Sequence, residues 1–241
     1  SIHLMELPVA LFGIAIATTL LPYLSDKHAQ GAQDQGRAAI DWGLKMVLML
    51  GIPSAIALVV LSDAIVTSLF NYGSLTAADV AMSAASLRAY SLGLLFIMLI
   101  RVIVPVFFAH QDTKTPVKIA LVAMVVNIVG NLALIYWLAH VGLALATSLA
   151  ACIHAILLLV YLHKRNWYSL DRQWFIFTAK LILANCILVA MLLVVNPSAN
   201  WWLISSMWLR VGSLAAICAG GLVMYLLLLR LVGIKLHKFK L

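Results

Sequence analysis

The chain has 241 residues, of which 65% are hydrophobic and 10% are charged, and its formal net charge is +8. Soluble domains average about 25% charged residues, and a soluble fold of this length could not bury so much apolar surface. Composition therefore excludes an ordinary soluble domain and predicts a chain surrounded largely by lipid. Most basic residues lie in short loops and near the C-terminal end, so we attribute them to membrane topology and expect no nucleic-acid partner.

Helices that cross a bilayer need roughly 20 mostly apolar residues, and seven stretches of the sequence meet this requirement. Because a helix satisfies its backbone polar groups internally in hydrocarbon, we predict an all-α polytopic membrane protein with seven transmembrane helices. In chain order the predicted helices are Leu4–Leu24, Trp42–Leu61, Val80–Phe108, Val117–Leu138, Val141–Leu162, Phe175–Val195 and Trp201–Leu231.

Local signals mark several boundaries along the chain. Ser62–Tyr72 is typical of a short amphipathic helix on the outer surface, and Thr76 with Asp79 has the capping-box pattern. Thr115 followed by proline predicts an N-cap and a first helical position. The small residues of Gly142–Ser148 favour close approach between helices.

The loops alternate in charge. Lys and Arg occur after the first, third and fifth predicted helices and in the C-terminal tail, whereas the loops between them have neither. The positive-inside rule then predicts a cytoplasmic C-terminus and a periplasmic start for the chain, in a bacterial inner membrane. Because the chain begins with Ser1 and enters a helix at once from the outer side, we expect it to be the C-terminal part of a longer transporter-like protein.

Ionisable groups inside a membrane are candidates for function. Glu6 is interpreted either as an interfacial carboxylate near a helix N-terminus or as a cavity-lining group that pairs with a cation. Arg101 either snorkels to the interface or faces a water-filled cavity, and we favour the cavity. For Lys45, Arg88, Lys180 and Arg210, snorkelling is the expected arrangement.

Asn127 and Asn131 share one face of a predicted helix, and Thr147 on the next helix could approach them. Interhelical hydrogen bonding is the favoured interpretation. The alternative is a monovalent-cation site built from neutral oxygens. No nucleophile–base pair, phosphate-binding glycine loop or metal-ligand cluster stands out, so we expect no enzymatic activity, metal site or cofactor.

Three segments resemble the MurJ (MviN) lipid II flippase family. HLMELPVALFGIAIATTLLPYLS at 3–25 resembles the family's eighth helix, and SLFNYGSLT at 68–76 its outer surface segment. RVIVPVFFAHQDTKTPVK at 101–118 is similar to the end of its helix ten, the following cytoplasmic loop and the start of helix eleven.

The resemblance implies helices eight to fourteen of a fourteen-helix protein in the multidrug/oligosaccharidyl-lipid/polysaccharide exporter superfamily. Residues 1–162 would be the remainder of the C-terminal six-helix lobe, and 163–241 two additional helices that form a groove for the undecaprenyl tail. The implied function is transport of lipid II by alternating access, coupled to membrane potential or a monovalent cation. The implied partners are lipid II, membrane lipids and the N-terminal lobe.

The family resemblance also implies a substrate cavity lined by His3, Glu6 and Arg101. His3 departs from the family, which usually has arginine there, and a histidine is only partly charged at neutral pH. Two other functions stay open from the sequence: a related exporter of lipid-linked oligosaccharides or drugs, and a non-transporting membrane scaffold in envelope assembly.

Overall fold

The computed structural model describes residues 6–70, 76–169 and 171–234, and within these ranges it is helical with no strand. We number the helices in chain order. They are α1 (Glu6–Ala29), α2 (Gln33–Val60), α3 (Ser62–Phe70), α4 (Ala77–Ala109), α5 (Lys114–Lys164), α6 (Arg172–Val195), α7 (Ala199–Ile204) and α8 (Met207–Leu231).

Six of these helices are long and apolar enough to cross a membrane, and α5 is long enough to do so twice. Its 51 residues would extend ~76 Å at 1.5 Å per residue, against a hydrocarbon core of about 30 Å. The segment instead reverses at Ala139, where φ is 45° and ψ is −123°. Asn127 on one arm lies 3.3 Å from Thr147 on the other, measured from Nδ2 to Oγ1. The two predicted helices 117–138 and 141–162 are therefore the arms of a helical hairpin.

The last predicted span, Trp201–Leu231, is wrong as a single helix. Ser205 and Ser206 are extended, with ψ of 151° and 155°, and they separate α7 from α8. Serine hydroxyls compete for backbone hydrogen bonds and favour helix ends over interiors. Trp202 anchors α7 because its buried indole Nε1 donates to Asn196 Oδ1 at 3.1 Å, just past the end of α6.

Helix α4 is the centre of the larger core. It packs against α1, α2, α3 and α5, and its buried residues include Leu94, Met98 and Phe107, each 0% exposed. A close helix contact lies between Gly93 of α4 and Ser148 of α5. A Cβ on Gly93 would lie 2.8 Å from Ser148 Cα, and Ser148 Oγ donates to Ala89 O at 2.6 Å. Close approach at the small residues of Gly142–Ser148 is thereby confirmed.

A second core joins α6 and α8 to α2. Leu181, Leu188 and Leu229 are buried in it. The Tyr225 hydroxyl of α8 donates to the backbone carbonyl of Met49 in α2 at 2.7 Å. Helix α2 contributes to both cores and therefore connects the last two long helices to the rest of the bundle.

Of two predicted helix N-termini, the structure confirms one and corrects the other. The capping box is confirmed: Asp79 N donates to Thr76 Oγ1 at 3.2 Å, and Thr76 N donates to Asp79 Oδ2 at 3.0 Å. The N-cap at Thr115 is wrong, because α5 already begins at Lys114. Asp112 performs the capping, since its carboxylate accepts from the amide and the hydroxyl of Thr115 at 3.0 and 2.7 Å.

The predicted surface helix Ser62–Tyr72 corresponds to α3, which is described to Phe70. The rest of that prediction, including Tyr72, lies outside the described residues.

The Gly93 contact predicts a steric effect on stability. Gly93→Ala should destabilise the protein by about 1–3 kcal/mol, because the new methyl group would overlap Ser148 and force α4 and α5 apart. Gly212→Ala is the matched control, since Gly212 is also helical but no atom lies within 4 Å of where its Cβ would stand, and it should gain up to about 1 kcal/mol from helix propensity. Thermal unfolding in detergent, followed by circular dichroism, measures both, and equal midpoints would contradict the close packing.

Candidate functional site

Arg101 lies on an exposed face of α4, beside α1. Its Cβ and Cγ are each 3.8 Å from where a Gly13 Cβ would stand, so the side chain crosses α1 at that glycine. The guanidinium has no hydrogen bond or ion pair with any residue in the described ranges. A cation held on an exposed face without a counter-ion is available to an anionic group.

Glu6 lies at the N-terminal end of α1. Glu6 is exposed and lies seven residues before Gly13, which is about 10 Å along a helix. The intervening Val9–Ile14 forms a π-helical turn, an irregularity that occurs frequently at functional sites. His3 lies outside the described residues. The assignment of these three residues to a substrate cavity stays a prediction.

Asn127, Asn131 and Thr147 are brought together between the two arms of α5. Asn131 Nδ2 donates to Asn127 Oδ1 at 3.0 Å, and Asn127 Nδ2 donates to Thr147 Oγ1 at 3.3 Å. The Thr147 hydroxyl in turn donates to Leu143 O at 2.9 Å. The favoured interhelical hydrogen bond is therefore present. Asn131 Oδ1 is buried and has no partner within the described part of the chain, and the alternative cation site stays a prediction.

An apolar groove of about 230 Å³ lies between α2, α6 and α8, with Phe12 of α1 at one edge. Its polar side chains direct their donors to the backbone. Ser54 donates to Leu50 O at 2.7 Å and Tyr225 to Met49 O at 2.7 Å. Because these hydroxyls are already satisfied, the groove offers carbon surface to its contents and suits a hydrocarbon chain.

Asp41 is a partly buried residue that the sequence interpretation missed. Its carboxylate accepts from Tyr168 OH at 2.8 Å and Trp174 Nε1 at 2.5 Å, and it pairs with Lys45 at 2.5 Å. Burial, reinforced by Asp41, raises the pKa of Tyr168 well above its usual value, so the phenol keeps its proton and remains a donor. The cluster joins α2 to the start of α6. The four-residue spacing of Asp41 and Lys45 was the available sequence signal.

Lys45, Arg88 and Arg210, three of the four cations for which snorkelling is expected, each have a partner inside the protein. Lys45 pairs with Asp41 and lies 5.6 Å from the centroid of the Trp174 ring. Arg88 pairs with Asp63 of α3 and donates from Nε to Ser62 Oγ at 2.6 Å.

Arg210, only 9% exposed, donates from Nη1 to the Thr67 carbonyl of α3 at 3.3 Å. Arg88 and Arg210 are bound by residues of α3, which are distant in sequence. This neighbouring helix supplies the hydrogen-bond acceptors that water supplies at a membrane interface.

The comparisons with known proteins agree with this architecture. A family model described as "Lipid II flippase MurJ" matches residues 1–212. A probable lipid II flippase MurJ of Vibrio cholerae is 40% identical over 238 residues, which are 99% of this chain and 45% of that protein. The lipid II flippase MurJ of Burkholderia cenocepacia is 40% identical over 182 residues, or 76% of this chain and 35% of that protein.

A solved structure of a lipid II flippase MurJ in an inward closed conformation superposes with a TM-score of 0.71. The identity is 25%, and the match covers 92% of this chain and 43% of that one. This chain therefore spans less than half the length of these relatives.

The long apolar helices define a multi-pass α-helical membrane protein. The chain belongs to the lipid II flippase MurJ family, as the family match over residues 1–212 and the 40% identity to the Vibrio cholerae relative show. The resemblance inferred from the three sequence segments is confirmed.

The Asp41 cluster predicts a specific stability loss. Asp41→Leu should destabilise the protein by about 1.5–3 kcal/mol, because it leaves Lys45 without its counter-ion and two donors without their acceptor. The control is Asp26→Leu, whose carboxylate is 59% exposed and contacts the sequence neighbours Lys27 and Gln30. Unfolding in detergent compares the two variants, and the Asp41→Leu/Lys45→Leu double variant should recover part of the loss. Equal effects at positions 41 and 26 would disprove the cluster's role.

Proposed function

We propose that this chain forms half of a transporter that moves lipid II, the undecaprenyl-linked precursor of peptidoglycan, across the bacterial inner membrane by alternating access. Membership of the flippase family supports the substrate, and the apolar groove between α2, α6 and α8 is the observation that carries the proposal. The chain would correspond to the C-terminal half, helices eight to fourteen, because residues 3–25 resemble the family's eighth helix and the match covers 45% of the Vibrio cholerae relative.

The groove fits one part of such a substrate. A polyprenyl tail is at home in hydrocarbon, whereas a pyrophosphate and sugar head is not, because moving charge unaided into the bilayer costs several kcal/mol or more. A transporter lowers this barrier by keeping the tail in an apolar groove while the head enters a wet, cationic cavity. The groove reaches Phe12 of α1, the helix beside which Arg101 lies.

Residues 1–162 would then line the head-group cavity, with Arg101 and Glu6 among its polar groups, and residues 163–241 would hold the tail. The Asp41 cluster supports this division, since it connects α2 with Tyr168 and Trp174 at the start of the second segment. Partners of the chain would be lipid II, bilayer lipids and the N-terminal lobe.

We further propose that the basic loops and the C-terminus are cytoplasmic and that the chain begins on the periplasmic side. Lys27 and Arg37 come from the first basic segment and Arg165 from the third, and they meet around one cavity with His110 of the second, as the positive-inside rule requires of segments in one compartment. Coupling would come from the membrane potential or a monovalent cation. Asn131 Oδ1, buried and unpartnered in the described ranges, is the oxygen that such a cation would approach first.

Filling the groove should block transport. Cys218 lines the groove, whereas Cys186 lies on the other side of α6, and both are exposed. In a flippase of full family length that carries this chain, Cys218→Trp should slow lipid II translocation by about tenfold or more, or ~1.4 kcal/mol of barrier. Cys186→Trp, an equal increase in volume outside the groove, should have little effect.

Accumulation of lipid II in the inner leaflet is the measurement, normalised to the amount of each variant in the membrane. Normal translocation with Cys218→Trp would show that the tail does not use this groove, while the family assignment would stand.

Arg101 provides an independent test of the head-group side. Arg101→Gln should reduce translocation by about tenfold through loss of one charge-assisted contact, and Arg101→Lys should retain part of the activity because the charge is kept. Lys118→Gln removes the same charge from an exposed site on α5 and serves as the control. If Arg101→Gln and Lys118→Gln behave alike, Arg101 is not a cavity residue.

A further inference from the structure

A separate cavity of about 340 Å³ opens where three connecting segments of the chain meet. The segments are the turn between α1 and α2 with the start of α2, the turn between α4 and α5, and the linker between α5 and α6. Cationic and aromatic side chains line it: Lys27, His28, Arg37, His110, Arg165 and Trp167. Among the lining residues in the described ranges there is no Asp or Glu.

Arg37 is the cation in this cavity whose charge no carboxylate offsets. Its Nη2 donates to the Asn166 carbonyl at 3.1 Å, and it has no ion pair with any residue that the structure describes. Lys27 and Arg165, by contrast, each have one carboxylate in contact, at 3.9 and 3.6 Å. The cavity therefore carries an uncompensated positive charge.

Membrane topology accounts for the number of basic residues in these segments but not for their convergence. The positive-inside rule is satisfied by cations anywhere in a loop, and like charges that converge repel one another. Here the fold brings three of them around one concavity, which an anion inside it would stabilise.

The walls of the cavity are ordered by stacking. The His110 and Trp167 rings are stacked with centroids 4.0 Å apart, and His28 approaches His110 with centroids 4.6 Å apart. Burial lowers the pKa of His110, so this imidazole is neutral at pH 7 and contributes shape more than charge. The fixed positive charges are those of Lys27, Arg37 and Arg165.

We propose that this cavity is a binding site for a phosphate group, with Arg37 and Lys27 as its principal ligands. The planar guanidinium matches the geometry of phosphate oxygens, and lysine adds a point charge. A volume of about 340 Å³ lies at the lower end of the roughly 300–1,000 Å³ of small-molecule sites and accommodates a phosphate with a small attached group. The phosphate belongs either to an anionic lipid headgroup or to a soluble anion. The site is distinct from Arg101 and from the apolar groove, and it does not depend on transport.

Fluorine NMR of the chain labelled with 5-fluorotryptophan tests the proposal, with the Trp167 signal assigned through Trp167→Phe. In the soluble arm, inorganic phosphate is titrated into the detergent-solubilised chain at constant ionic strength. In the lipid arm, nanodiscs of phosphatidylcholine are compared with nanodiscs containing phosphatidylglycerol. A saturable shift of the Trp167 signal in either arm supports the site, and the arm in which it occurs identifies the source of the phosphate.

Charge variants distinguish a specific binding site from general electrostatic attraction. Arg37→Gln should weaken binding by about tenfold, whereas Arg37→Lys should retain most of it. Lys118→Gln is the control, because it removes the same charge from an exposed residue outside the cavity. Each variant must first give the wild-type fluorine signals for tryptophans remote from the cavity. The absence of a shift in both arms, or equal weakening by Arg37→Gln and Lys118→Gln, overturns the proposal.

Discussion

Hydrocarbon supplies no hydrogen-bond partners, and this constraint governs the whole chain. Every backbone amide and carbonyl inside the bilayer must be satisfied by the protein, so 65% hydrophobic composition leads to long helices. The same constraint determines where the backbone can turn. The reversal at Ala139 separates two membrane-length arms, and the extended pair Ser205–Ser206 separates a short terminal helix from a long one.

Side-chain polar groups obey the same rule, and this has a functional consequence. The hydroxyls of Ser54 and Tyr225 donate to backbone carbonyls within the bundle, which leaves the groove between α2, α6 and α8 with carbon walls. Helix α2 is the structural link, because it shares one core with α4 and another with α6 and α8. The apolar groove and the exposed Arg101 therefore belong to one packed unit, although different segments of sequence form them.

Charged side chains in a lipid-facing protein have two ways to avoid hydrocarbon: they reach the interface, or they find a partner. The sequence favoured the first for Lys45, Arg88 and Arg210, and the structure shows that each of them also has a partner. Arg88 and Arg210 both bind α3, so this short helix is held by cations from α4 and α8. Arg101 differs from all three, because its guanidinium has no hydrogen bond or ion pair with any residue in the described ranges.

The sequence by itself determined the class of protein, six of the seven membrane-length segments as single helices, the capping box at Thr76 and the family. These features depend on composition, on local spacing and on motifs, which are properties of neighbouring residues. Only the tertiary structure decided that Asp41 joins α2 to Trp174, that three basic segments surround one cavity, and that α6 and α8 enclose a groove with α2. Each of these contacts joins residues more than 100 positions apart. A local sequence pattern does not specify which distant residue a side chain contacts, because that depends on how the helices pack.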